Sequence, residues 1–276
     1  MTLLKTMGLV VGGLMSGLSF AHYPYVAPLS YQTFNNQTAV LSGFYDNPFS
    51  SEIAIKNFKF HYHAPSGQKM QIADEAWSKT KTVSSMSLDN REDGTYRIRG
   101  EKQGSTTQYA LDGTQWKTLI KAQPKANQAA HSKVIFASQM KPNTAIKKVE
   151  TLELIETFVS RKNISNQVIH HLHAGFDVQF LTHPNAIKVG ELIQWKVLDD
   201  KKGIANLDVN ILAQTSDFSR EEKVYQQLKT NQQGELNFSL KEKGQYLLTI
   251  NYQQPFSHPS DQLKHYKYTL AFNVID

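Results

Sequence analysis

The chain has 276 residues, with 30 lysines and arginines against 24 aspartates and glutamates, ten histidines and no cysteine. Without cysteine there is no disulfide framework, no thiolate metal site and no cysteine nucleophile. The basic residues are interleaved with acidic ones along the whole length, which describes a solvated cationic surface and argues against a nucleic-acid-binding stripe.

The first segment, "MTLLKTMGLVVGGLMSGLSFA", carries one lysine, then an uncharged apolar run, then Ser19 and Ala21 at small-residue positions. This is the pattern of a secretory signal over 1–21 cut after Ala21, too short and glycine-rich for a membrane span. The expected product is an exported, periplasmic protein beginning at His22. No later window approaches the roughly 18 uninterrupted apolar residues that a membrane helix needs.

Beyond that point short alternating runs follow one another: "TAVLSGFY", "FKFHYH", "GTYRIRG", "KVIFASQ", "LELIETFVS", "FDVQFL", "LIQWKVL", "LDVNILAQ", "ELNFSL", "QYLLTINY" and "YTLAFNVI". Punctuation such as "DNPFSS", "APSGQ", "LDGTQ" and "DDKKG" separates them. Period-two alternation rich in β-branched and aromatic residues, with frequent turns, predicts an all-β antiparallel protein built of sandwiches. "DEAWSK" is the one place where a single helical turn is expected. "HYPYVAPLSY" reads as a stiff, extended entry into the first strand.

A strand end near Leu181, followed by the turn chemistry of "THPN", predicts a boundary there. The expected organisation is a β-sandwich over 22–181 and an immunoglobulin-like or prealbumin-like β-sandwich over 182–276. Gly190 and Gly203 are expected to supply backbone freedom at turns of the second unit.

Five blocks carry a resemblance: "AHYPYVAP" directly after the signal, "GTYRIRGEKQG" with "LDGTQWKTLIK", "ETFVSRKN", "LTHPNAIKVGELIQWKVLDDKKGIANLDVNIL" and "TNQQGELNFSLKEKGQYLLTINY". In this order they resemble a bacterial periplasmic family of domains of unknown function that is often labelled as nickel-uptake associated. The resemblance spans nearly the whole mature chain and implies architecture and a role in metal uptake, with no catalytic residues to carry over.

The residues themselves offer three nitrogen-rich groups. After cleavage His22 would present an α-amine and an imidazole, both readily deprotonated near neutral pH, a chelate of the kind copper(II) or nickel(II) favours. In "FHYHAP", His61 and His63 sit two apart on a predicted strand, about 6.6 Å apart along one face, close enough to share an ion. The same spacing suits two solvent-facing histidines on an amphipathic strand. In "VIHHLHAG", His171 and His173 would share a face of a strand, with His170 turned away; a solvated strand end is the plainer account. His183 reads as a turn residue that bonds backbone groups.

Enzyme motifs are absent: there is no Gly-x-Ser-x-Gly elbow in the mature chain, no His-Glu-x-x-His, no phosphate loop and no dinucleotide fingerprint. The adjacent carboxylates Asp74/Glu75, Asp199/Asp200 and Glu221/Glu222 look solvated rather than spaced for acid–base work. The expectation is therefore a non-enzymatic protein that binds a divalent transition metal (nickel, or else copper or cobalt) through His22, His61, His63, His171 and His173, serving an envelope transporter or receptor. The competing reading is a carbohydrate- or protein-binding structural module without metal.

Overall fold

Alternating β-branched and aromatic residues leave little choice but strand, and the computed structural model, which describes residues 23–122, 133–214 and 224–276, is an all-β sandwich. The strands of the first half are β1 (Tyr23–Pro28), β2 (Gln32–Thr33), β3 (Gln37–Asn47), β4 (Ser50–Ala54), β5 (Lys59–His63), β6 (Lys69–Ile72), β7 (Ser78–Lys79), β8 (Ser84–Asp89), β9 (Gly94–Asp112), β10 (Gln115–Ile120), β11 (Val134–Phe136) and β12 (Ile146–Arg161). Those of the second are β13 (Phe176–Phe180), β14 (Ile193–Asp199), β15 (Lys202–Gly203), β16 (Asp208–Ala213), β17 (Val224–Lys229), β18 (Glu235–Phe238), β19 (Gly244–Gln253) and β20 (Gln262–Val274). The helical pieces among the described residues are two 3-10 turns, Asp74–Ala76, where "DEAWSK" was expected to turn, and Ala137–Gln139. None of these helices is long and apolar enough to cross a membrane.

One large sheet organises the molecule. Its path runs β11-β10-β9-β12-β20-β19-β16-β17, with β5 and β6 attached beside β9. The two longest strands, β9 and β12, pair antiparallel from Gly94↔Arg161 to Ala110↔Ile146, and β12 pairs parallel with β20 from Lys148↔Gln262 to Thr157↔Ala271. Strands from before and after residue 181 thus share this sheet.

The middle strand β12 is buried on both faces, which is why "LIETFV" reads as an unbroken apolar run around one acid. Leu154 and Phe158 face the small sheet of β13, β14, β15 and β18, in a core with Phe176, Phe180, Trp195 and Phe272. Ile155 and Val159 face the opposite way, toward the sheet of β1, β3, β4, β7 and β8, in a core with Phe60, Trp77, Tyr96 and Ile98. The large sheet is therefore the middle of three layers. Its second partner is wedged in at the edge: Val26 of β1 joins this core, while Tyr25 and Ala27 turn to Leu212, Leu247 and Ala271. The "YPYVAP" segment is thus itself a strand, paired with β3, rather than a lead-in to one.

Two glycines of the second half serve different ends. Gly190 has φ +77 and supplies the turn expected of it. Gly203 is there for space: a Cβ would lie 1.9 Å from the Gln233 carbonyl oxygen, so the backbone of β15 touches that of the turn before β18 at that point.

Gly100 of β9 plays the same part next to the histidines. It lies opposite Phe60 on β5 and Ile155 on β12, and a Cβ would meet Phe60 Cε1 at 2.5 Å and Ile155 Cγ1 at 2.9 Å. Phe60 is held in turn by Trp77 at a ring separation of 4.5 Å, so it has little room to yield. Gly100→Ala should destabilise the protein by about 1–3 kcal/mol, the usual cost of overpacking. A urea unfolding midpoint equal to that of the wild type would show that the Phe60 ring moves aside freely.

Candidate metal centre

Strand register decides which side chains meet. Across β5 and β9, His61 is opposite Arg99 and His63 opposite Arg97; across β9 and β12, Arg99 is opposite Glu156 and Arg97 opposite Phe158. Because strand side chains alternate, these residues share one face of the sheet while Phe60, Tyr62, Tyr96 and Ile98 line the other. Onto that polar face folds the segment after β12, which carries His170, His171 and His173 and leads into β13 with Asp177.

The arginines come first energetically. Arg97 has no exposed surface, and its guanidinium donates to Glu156 Oε1 at 2.6 Å, Glu156 Oε2 at 3.1 Å, Asp177 Oδ1 at 2.7 Å and the His171 carbonyl at 2.6 Å. Its guanidinium carbon also lies over the rings of Phe158 and Phe180, at 5.6 and 5.5 Å. Arg99 donates to Asp177 Oδ1 at 3.0 Å, the Phe176 carbonyl at 3.2 Å and Glu101 at 3.1 Å. Tyr268 on β20 donates to Glu156 Oε2 at 2.6 Å. Burial alone would raise the carboxyls of Glu156 and Asp177, but Arg97 and Arg99 overcome it and hold both below the ordinary carboxylate range. Two cations and two anions balance, and the carboxylates' lone pairs are largely spent on arginine, tyrosine and amide donors. Glu156 and Asp177 therefore approach His173 as structural acceptors and not as free metal ligands, although the three lie close enough together to hold an ion.

The histidines are in the opposite condition. His61 and His63 are 4% and 3% exposed, and one ring nitrogen from each of His61, His63 and His173 lies within 4.8 Å of the others. His61 Nε2, His63 Nδ1 and His173 Nε2 are buried with no hydrogen-bond partner. A buried nitrogen left unpaired costs about 1–3 kcal/mol, so three on neighbouring rings is a costly arrangement unless something pairs with them. The ring centres are 5.5 Å (His61–His63), 5.8 Å (His61–His173) and 5.6 Å (His63–His173) apart. Two imidazoles on one ion, with metal–nitrogen bonds of about 2.1 Å and angles of about 110–120°, have ring centres about 5.3–5.6 Å apart. Two of the three separations fall in this range and the third, His61–His173, lies 0.2 Å beyond it, so the spacing of the rings suits a shared transition metal.

The protonation state suits that use. Burial, with Lys69 and the neighbouring rings adding to it, pushes His61 down to about 3, and burial together with His171, His173 and Arg97 pushes His63 down to about 4. His173 is lowered by burial too, against the pull of Asp177. All three are neutral at pH 7, the form that ligates metal. The backbone N–H of His173 donates to Asp177 Oδ2 at 2.7 Å, and its Nδ1 lies 3.1 Å from the same oxygen. Arg99 Nη1 lies 3.2 Å from the same Nδ1, so the ring has two partners: paired with the carboxylate, Nδ1 carries the proton and Nε2 the lone pair, the orientation by which a carboxylate aims a histidine at a metal, whereas paired with the arginine Nδ1 accepts and Nε2 carries the proton.

The expected site residues are thus distributed as follows. His61 and His63 share a face as the spacing predicted, but that face is buried. His173 joins them from a loop: the "HHLH" segment forms no strand, so His171 and His173 meet the site through a turn of the chain and not through strand alternation. His171 is exposed, with its ring 4.3 Å from His63 and 5.3 Å from His173. His22 lies outside the described residues; the adjacent Tyr23 belongs to the sheet on the other face of the central layer. His183 is buried, its Nδ1 accepting the Asn185 N–H at 3.0 Å and its Nε2 lying 3.1 Å from Thr95 Oγ1, so it is a structural clasp. Sequence reasoning passed over Arg97, Arg99, Glu156 and Asp177. The available signal was charge in the wrong phase: two arginines alternating in "GTYRIRG" and single acids inside "LIETFV" and "FDVQF".

The family model described as "Domain of unknown function (DUF4198)" matches residues 19–254, and the chain belongs to that family. No curated protein matches it. Among solved structures, a marsupial T cell receptor aligns over 91% of this chain and 73% of its own at 8% identity, with a TM-score of 0.20. A putative membrane anchored protein from Corynebacterium diphtheriae aligns over 93% and 59% at 9% identity (TM-score 0.20), and an Escherichia coli alpha-2-macroglobulin over 92% and 31% at 11% identity (TM-score 0.21). Overlays at such TM-scores carry no argument about what this chain does.

The depressed histidines set an acid limit. In the unfolded chain imidazoles titrate near ~6.5, whereas folded His63 and His183 titrate at about 4 and His61 at about 3. Between these values the unfolded chain binds protons that the folded chain refuses, so stability is full above ~6.5 and falls as the pH drops, each group contributing up to about 1.4 kcal/mol per pH unit. In the presence of chelator the thermal midpoint should therefore fall between pH 7.5 and pH 5. A flat profile over that range would mean that these rings are not buried as neutral groups.

Proposed function

We propose that this member of the DUF4198 family is a non-enzymatic transition-metal-binding protein of the cell envelope that takes up nickel, or else copper or cobalt, in support of metal uptake or handling. The observation that carries the reading is the clustering of His61, His63 and His173, three imidazoles that each bury an unpartnered ring nitrogen. The role of Asp177 as the group that orients His173, itself anchored by two arginines, supports it. Nickel and the periplasm come from the family resemblance and from the signal-like segment 1–21. By donor chemistry alone, three neutral imidazoles favour copper(II) over nickel(II) and cobalt(II). The reading does not require His22, although a terminal amine and ring remain a second chelate wherever the processed chain begins at that residue.

A module that binds carbohydrate or protein without metal is the second reading. One feature favours it: Trp116 is half-buried and stacks on Phe256 at 5.1 Å and 12°, with Tyr109 against the same ring. Aromatic surfaces of this kind suit sugar faces.

Calorimetric titration of the chelator-treated protein with nickel, copper(II), cobalt and zinc should give one tight site per chain. His61→Ala, His63→Ala and His173→Ala should each weaken it by more than about tenfold, and Asp177→Asn by about 10–100-fold, the usual effect of losing a group that orients a ligand. A chain starting at Tyr23 should keep its affinity within a few-fold. Affinity that survives all three histidine substitutions, or that vanishes with His22 alone, would remove the triad as the site.

A further inference from the structure

The triad is buried, so an ion needs a way in, and the structure offers one beside His63. An open cleft of about 350 Å³ is lined by Ser66 and Gly67 on one lip and by Gln167, His170 and His171 on the other, with His63 at its floor. Gln167 Nε2 donates to the Ser66 carbonyl at 3.1 Å and ties the lips together. His63 is thus common to the cleft and to the triad.

His171 pairs an anchored backbone with a side chain that reaches solvent. Its carbonyl is held by Arg97, while its side chain, like that of His170, is exposed. Its ring is also badly placed to be a resident ligand. At 4.3 Å and a 38° tilt it lies partly over His63, well inside the spacing of about 5.3–5.6 Å expected for two imidazoles sharing an ion. The group of nitrogens within 4.8 Å of one another accordingly contains His61, His63 and His173 but not His171. A hydrated divalent ion exchanges its waters one donor at a time, and a donor at the cleft mouth raises the effective concentration of the ion at the next.

We propose that His170 and His171 form an exchange relay, through which a divalent transition-metal ion is captured at the cleft and passed by way of His63 into the triad, and by which it leaves again. This rests on the reading of the triad as a metal site.

The test uses the full chain, chelator-stripped, and its His170→Ala/His171→Ala double variant, with cobalt(II) and nickel(II) followed by stopped-flow absorbance and by equilibrium competition against a chromophoric chelator. Both substitutions are at exposed side chains, and equal unfolding midpoints will confirm that the fold is kept. The relay predicts that association and dissociation both slow by roughly tenfold while the equilibrium constant stays within about threefold, because the relay raises local concentration without adding a final bond. Unchanged rates would overturn it, since the ion would then enter elsewhere. A loss of affinity above tenfold with an altered cobalt(II) spectrum would also overturn it, by making a cleft histidine a resident ligand. Absence of metal binding by the wild type would instead remove the underlying reading, and the relay with it.

Discussion

The ion cluster of Arg97, Arg99, Glu156 and Asp177 is the constraint on which the rest of the site depends. It is assembled from β9, β12 and β13, capped by Tyr268 on β20, and closed over by the loop whose His171 carbonyl Arg97 holds. A pair of charges in an apolar interior is seldom a net gain in stability, because desolvation offsets the attraction; losing one partner of such a cluster typically costs 3–5 kcal/mol. What the cluster supplies here is position. It fixes Asp177, Asp177 holds the backbone N–H and the ring of His173 in place, and His173 completes a triad whose other two members are set by the register of β5 on β9.

The division of labour between charge and neutrality follows from this. The anions near the site are neutralised by arginines, so they orient without ligating, and the imidazoles are kept neutral by burial, so they are free to ligate. An incoming cation would meet a balanced cluster and three lone pairs. Selectivity of the proposed site would then rest on nitrogen affinity and on geometry, which favours ions of the late first transition row over calcium or magnesium.

The fold was legible because strands announce themselves by alternation. "GTYRIRG" and "LELIETFVS" lie within strands, "FKFHYH" and "YTLAFNVI" do so but for one end residue each, and the turn signals of "DNPFSS" and "LDGTQ" each close a hairpin. Half of the site was legible for the same reason, since His61 and His63 had to share a face. Which face was not, because both flanks of β5 carry aromatic or histidine side chains and the burial of His61 is decided by residues 163–175 folding back over it. His173 reaches the site through a loop, where spacing has no period to read. The arginines were hidden by habit: an arginine in a strand reads as solvent-facing unless its partners, 59 and 80 residues away, are known.

The parallel pairing of β12 with β20 joins residue 148 to residue 262, across all of β13 to β19. Contacts of such sequence separation form late and slowly in folding. Tyr268, which tethers Glu156, arrives with the last strand of the chain. A ribosome-bound or truncated chain therefore owns all three histidines of the triad yet lacks the tether on Glu156, and if the triad chelates as proposed, that power would be a measure of whether a given molecule has finished folding.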